Sequence, residues 1–179
     1  MSFIILDRDG VINFESVDYI KSPEELHFIP GSLEAIAALH QASYQVIVAT
    51  NQSGIARGLY DFAMLEKIHA KLFQAAEAAG GKITDLFFCP HHPKEGCPCR
   101  KPKPGMFNQI REKYALHFGE VYFIGDSVCD MKTAEVVGCK PLLVLTGNGQ
   151  KTLAAYSGEF PAPYFPDLKQ AVEYVLNDK

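Results

Sequence analysis

The sequence predicts an α/β fold: a Rossmann-like three-layer α/β/α sandwich around a mainly parallel sheet. Three observations carry this. Short apolar runs alternate with segments of helical period along the whole chain. The runs are continuously apolar, as strands covered on both faces are, and do not alternate inside and out. Polar turns containing Asp, Asn or Gly follow the runs, and in open parallel sheets ligands bind beyond those carboxyl ends.

Phe3–Leu6 is the first strand, apolar and bounded by charge. Ser32–Gln41 has Leu33, Ile36, Ala37 and Leu39 at helical spacing, with Pro30 and Gly31 punctuating its start. Gln45–Ala49 is a β-branched strand. Phe62–Ala79 is a long helix closed by Gly80 and Gly81. Asp85–Phe88 is a third strand, and the Pro-, Gly- and Cys-rich segment 89–105 is a loop. Pro104 is placed to start the helix Met106–Tyr114. Val121–Ile124, Asp130–Val137, Pro141–Leu145 and Leu168–Leu176 then read as strand, helix, strand and amphipathic helix. Repeats and linkers are absent, so residues 1–179 are expected to form one domain.

Of the 179 residues, 47% are hydrophobic, and the formal net charge is -4. No block of Lys or Arg supplies the electrostatic footprint of a nucleic-acid binder. No apolar run approaches the roughly 20 residues of a membrane helix. The chain enters its first strand at once, with no basic segment ahead of it, so the cytoplasm is the expected compartment. No obvious dimer seam is present, and a monomer is expected.

The strand ends carry the chemistry. Asp7-Arg8-Asp9-Gly10 follows the first strand and Thr50-Asn51-Gln52-Ser53-Gly54 the second. Arg100-Lys101-Pro102 ends the loop after the third, and Gly125-Asp126-Ser127 follows the fourth. Asp7, Asp9 and Asp126 crowded together would repel one another, and Mg²⁺ resolves that conflict with oxygen ligands. Thr50 offers a hydroxyl and Lys101 a point charge for the oxygens of a phosphoryl group in transfer. A carboxylate nucleophile, Asp7, splits hydrolysis into two steps. Asp9 then serves as acid in the first and base in the second. Backbone N–H groups of Asn51–Gly54 add donors. Lys103 competes with Lys101 as the phosphate lysine, and Asp130 reads as a helix N-cap or a support to the metal.

These motifs, in this order, resemble those of the haloacid dehalogenase-type (HAD) phosphohydrolases. Receiver domains also place Asp, Thr and Lys at strand ends, but with the nucleophile on the third strand. The longer stretches Thr50–Gly58, Cys89-Pro90-His91 and Cys97–Pro102 are similar to the D-glycero-D-manno-heptose 1,7-bisphosphate 7-phosphatase family, and the likeness covers nearly the whole chain. The resemblance implies a capless HAD-type fold with a zinc-binding loop and removal of the C7 phosphate of a sugar bisphosphate. It also implies that Arg100 contacts substrate while Lys101 holds the transferring group. The intervals Asp7 to Thr50 and Thr50 to Lys101 leave no room for a cap, so the crevice is expected to be open. Arg57 and Arg100 are candidate contacts for a second phosphate, with Arg57 as a solvated surface residue the alternative. Histidinol phosphate is the nearest competing substrate. A non-catalytic zinc or phosphate-binding module would be expected to lack Asp7 or Asp9. A nucleic-acid 3′-phosphatase is disfavoured by the acidic balance.

The cysteine count is odd, and Cys89, Cys97 and Cys99 fall within eleven residues while Cys129 and Cys139 stand alone, which favours metal over disulfides. Cys89, His91, Cys97 and Cys99 supply four ligands, enough to close a structural Zn²⁺ site. That zinc would pin Arg100 and Lys101. His92 competes with His91, and the stretch His92–Gly96 makes the loop short for the family. Cys129 and Cys139 are expected to be small buried residues. Tyr19, in a segment that matches the family pattern loosely, is either a loop anchor or a wall of the sugar site.

Overall fold

A computed structural model describes residues 2–178. Six strands form one sheet: β1 (Ser2–Leu6), β2 (Tyr44–Asn51), β3 (Ile83–Cys89), β4 (Tyr122–Gly125), β5 (Lys140–Val144) and β6 (Tyr164–Phe165). Their order is β3-β2-β1-β4-β5-β6, and every pairing is parallel. Six α-helices connect or follow them: α1 (Ser32–Gln41), α2 (Phe62–Ala78), α3 (Gly105–Tyr114), α4 (Val128–Val137), α5 (Gly149–Ala155) and α6 (Leu168–Asn177).

The strand period of two splits β1 between two cores. Ile4 and Leu6 join Ile36, Leu39, Ile68, Leu72 and Val172 on one face. Ile5 joins Phe107, Ile110, Phe123 and Ala134 on the other. Both faces are therefore covered, which explains why the strands are continuously apolar. Asp61 starts α2 by accepting from Met64 N at 2.8 Å.

Several boundaries differ from the sequence reading. Helix α4 begins at Val128, not Asp130, because Ser127 is its N-cap: the Ser127 hydroxyl accepts from Asp130 N at 3.1 Å. Asp130 is thus the third helical residue of a capping box, not the cap. Pro104 is the N-cap of α3, one place earlier than its expected first-turn position. Pro141 lies within β5, where Lys140 N already bonds Val121 O and β6 pairs only from Leu143 onward. Its missing N–H therefore costs the sheet nothing. Helix α5 and the two-residue β6 were not foreseen.

Candidate active site

The sheet order reverses between β1 and β4. From β1 the chain builds outward through β2 and β3; it then returns to β4 on the other side. At such a switch point the connections diverge and leave a crevice at the strand ends. Here it is a cleft of about 280 Å³ lined by Asp7, Asp9, Thr50, Arg100, Lys101 and Asp126, among others.

Asp7 is buried at the end of β1, and its Oδ1 lies 3.0 Å from Lys101 Nζ. Lys101 is buried too and also donates to Asp130 Oδ1 at 2.7 Å and to Ala49 O at 2.9 Å. Its backbone is held by Asn51, whose Oδ1 accepts from Lys101 N at 3.1 Å while Nδ2 donates to Lys101 O at 3.2 Å. Burial alone would lower the Lys101 pKa, but Asp130 and Asp7 outweigh it and keep the ammonium charged. Asp130 stays ionised for the converse reason: burial opposes its charge, and Lys101 overcomes that. Lys103 instead reaches Gly96 O at 2.8 Å, away from the carboxylates.

Asp126 is fixed through main-chain approach. Its Oδ2 accepts from Asn148 N at 2.8 Å. A Cβ on Gly10 would come within 2.1 Å of that oxygen and one on Gly147 within 2.3 Å, and both glycines have positive φ. Only glycine lets these two turns close on the carboxylate. Carboxylate oxygens of Asp7, Asp126 and Asp130 lie within 4.8 Å of one another. Burial, then Asp130, pushes Asp126 up to about 8, and the same two causes raise Asp7 well above the usual range. One ammonium does not balance this cluster. An all-oxygen donor set short of positive charge fits a hard divalent cation such as Mg²⁺.

Asp9 sits apart from that cluster. Arg8 grips its Oδ1 from Nε and Nη2 at 3.0 and 2.9 Å, Asn13 donates to the same oxygen at 2.9 Å, and Gln52 Nε2 donates to Oδ2 at 2.9 Å. Burial raises its pKa, but Arg8 and these hydrogen bonds more than reverse that and hold the carboxyl ionised. Arg8 is itself buried, and its Nη1 lies 3.2 Å from His69 Nε2.

On the open side, Arg57 stacks over Tyr19 with its guanidinium carbon 5.5 Å from the ring centroid, and both line the cleft. Arg57 Nε also reaches Ser53 Oγ at 3.4 Å. Tyr19 adopts φ 64°, so the loop after β1 turns sharply there. Arg100 Nη1 is buried without a hydrogen-bond partner among the described residues. Cys129 is half-buried on the cleft wall, not fully buried as expected, whereas Cys139 is buried.

Beside the cleft, Cys89, His91, Cys97 and Cys99 place their ligand atoms within 4.8 Å of one another. Adjacent distances run from 3.2 Å (Cys99 to Cys89, and His91 Nδ1 to Cys99) to 3.6 Å (Cys99 to Cys97). A tetrahedron of thiolates about 2.3 Å from Zn²⁺ has edges of roughly 3.8 Å, so the cage is of zinc size. His92 instead caps the short 3₁₀ turn Pro93–Glu95, accepting from Lys94 N at 3.1 Å while Glu95 accepts from His92 N at 2.7 Å.

Asn148, His69 and Tyr60, whose hydroxyl donates to Gln52 Oε1 at 2.8 Å, escaped the sequence reading. The Thr146-Gly147-Asn148 turn after β5 carries the same strand-end signal as the other motifs and was open to detection by it. His69 and Tyr60 sit on or before a helix, with no local mark of their role.

The HAD-hydrolase-like family model matches residues 98–171. The D-glycero-beta-D-manno-heptose-1,7-bisphosphate 7-phosphatase of Pseudomonas aeruginosa is 54% identical over 152 residues, 85% of each chain. That of Bordetella bronchiseptica is 52% identical over 178 residues, 99% of each chain. The crystal structure of the B. bronchiseptica D,D-heptose 1,7-bisphosphate phosphatase, complexed with magnesium and phosphate, matches with a TM-score of 0.96 and 47% identity over 100% of both chains. With half its residues shared along the full length and a matching fold, the chain belongs to the D-glycero-beta-D-manno-heptose-1,7-bisphosphate 7-phosphatase family of HAD-like hydrolases.

Proposed function

We propose that this chain is a Mg²⁺-dependent phosphatase that removes the C7 phosphate of D-glycero-D-manno-heptose 1,7-bisphosphate through a phospho-aspartate on Asp7, leaving heptose 1-phosphate. The observation that carries the reading is the buried Asp7–Lys101 pair, 3.0 Å apart, beside an under-compensated carboxylate cluster. A family member of matching fold is known with magnesium and phosphate bound.

Asp7 Oδ attacks phosphorus, and the bond to the C7 oxygen breaks. Lys101 and the Thr50 hydroxyl hold the equatorial oxygens during transfer. Asp9 gives the leaving oxygen its proton, then takes one from the water that attacks phospho-Asp7. Arg8, Asn13 and Gln52 keep Asp9 ionised at rest, as a base requires. An incoming phosphate dianion adds negative charge nearby and raises its proton affinity for the first step. Asp7 and Asp126 would supply carboxylates to Mg²⁺, and Asp9, whose carboxylate is held by Arg8, Asn13 and Gln52, would contribute through its main-chain oxygen. The ion would neutralise these groups and polarise the phosphoryl oxygens.

Asn51, Ser53, Arg57 and Arg100 form the substrate side, and Arg100 Nη1, without a partner among the described residues, has a donor to spare for an anionic group. Zn²⁺ held by Cys89, His91, Cys97 and Cys99 would be structural, since four protein ligands would leave no open position. The domain acts as a monomer on a small sugar phosphate in the cytoplasm. No helix of the described residues is long and apolar enough to cross a membrane.

The test is phosphate release with Mg²⁺ from the heptose bisphosphate and from histidinol phosphate, side by side, with Asp7→Asn as control. Preference for the bisphosphate and loss in the control are expected. A preference for histidinol phosphate would overturn the substrate, and release by Asp7→Asn would overturn the nucleophile.

A further inference from the structure

Gln52 follows the Thr50-Asn51 pair in the loop after β2 and, by position, belongs with the substrate contacts. Its bonds say otherwise. Gln52 is buried, and every donor it owns is committed within the protein. Its main-chain N donates to Cys89 O at 2.8 Å. Its side-chain Nε2 donates to Asp9 Oδ2 and to Thr50 Oγ1, both at 2.9 Å. Its Oε1 accepts from the Tyr60 hydroxyl at 2.8 Å. An amide nitrogen carries two hydrogens, and both are used.

We infer that Gln52, locked by Tyr60, is a positioning residue that couples the acid/base Asp9 to the phosphoryl-holding Thr50, and is not itself a substrate contact. This rests on the roles of Asp9 and Thr50 proposed above. The chemistry follows from the direction of each bond. Thr50 Oγ1 accepts from Gln52, so its own hydrogen is left to donate to a phosphoryl oxygen. Asp9 Oδ2 is held by the same nitrogen, so the proton-transferring carboxyl and that hydroxyl keep a fixed separation. The Tyr60 hydroxyl fixes which way the amide faces, since it presents its hydrogen to the carbonyl oxygen. Gly54 makes room for this lock: a Cβ there would lie 2.2 Å from the Tyr60 ring.

The test is Gln52→Leu, assayed on a series of phosphate monoesters running from alkyl to activated aryl leaving groups. Alkyl oxygens need a proton as they leave, and activated aryl oxygens do not. For alkyl esters, kcat is expected to fall by about tenfold or more, the weight of one broken charge-assisted bond. KM should change by less than about threefold, and aryl esters should lose much less, so the leaving-group dependence steepens. Tyr60→Phe, a milder change that keeps the ring, should move the same way by a smaller factor. A raised KM with unchanged kcat would make Gln52 a substrate contact and overturn the inference. An equal loss on alkyl and aryl esters in both variants would make its role merely structural and overturn it too. Asp9→Asn, run in parallel, should show the same steepening. If it does not, the acid/base role of Asp9 fails, and the coupling falls with it. Steepening in Asp9→Asn alone refutes only the coupling.

Discussion

His69 offers a direct reading of how the interior around Asp9 is built. A guanidinium has no lone pair to give. The 3.2 Å approach of Arg8 Nη1 to His69 Nε2 therefore requires Nε2 to accept, and the imidazole to be neutral. Burial, reinforced by Arg8, pushes the His69 pKa down to about 3. In the unfolded chain it returns to about 6.5. Between those values the unfolded state binds a proton that the native state refuses. The stability this site contributes is therefore complete above about pH 6.5 and is lost as pH falls toward about 3. Near pH 4.5, about two units into the window, the loss is about 3 kcal/mol. His69→Gln keeps an acceptor for Arg8 and removes the titration. Urea unfolding of both proteins near pH 7.5 and pH 4.5 measures the difference. The parent should lose about 3 kcal/mol more than the variant on acidification. Equal losses would show that His69 is already protonated or exposed, and that it does not accept from Arg8.

Gly10→Ala should lower kcat by about 100-fold and weaken half-saturation by Mg²⁺, because its Cβ would displace Asp126 Oδ2 from 2.1 Å away; unchanged kinetics with a native circular dichroism spectrum would refute the close approach. Arg100→Ala should raise KM for a bisphosphate more than for a monophosphate, since Nη1 has no partner within the described residues; steady-state kinetics on both substrates decide it, and equal effects would refute it. Cys97→Ser should reduce bound zinc, measured by elemental analysis, below one per chain and expose the 89–100 loop to proteolysis; full zinc content would remove Cys97 from the cage.

The sequence was legible where function is local. A strand end, a turn and a charged residue within a few positions were enough to bring Asp7, Thr50, Lys101 and Asp126 to one crevice, because a parallel sheet forces its carboxyl ends to one edge. Cys89, His91, Cys97 and Cys99 come together for a more local reason, since the last residue of β3 and the short loop after it carry all four. Elements failed where the signal was short. Phe165 joins β6 through a two-residue strand whose register is set by β5, not by its own period.

What the chain alone determined, then, was the layered sheet and the set of groups gathered at its edge. The tertiary structure decided how those groups pair. Lys101 bridges Asp7 to Asp130 and leaves Asp126 to a main-chain donor at Asn148. Asp9 turns toward Arg8 and Gln52, away from the carboxylate cluster. His69 and Tyr60 reach the site from elsewhere in the chain to back them. Composition and period fix which face of an element is buried. The partner of a buried polar atom depends on which side chains arrive within 3 Å from distant segments, and no local pattern records that.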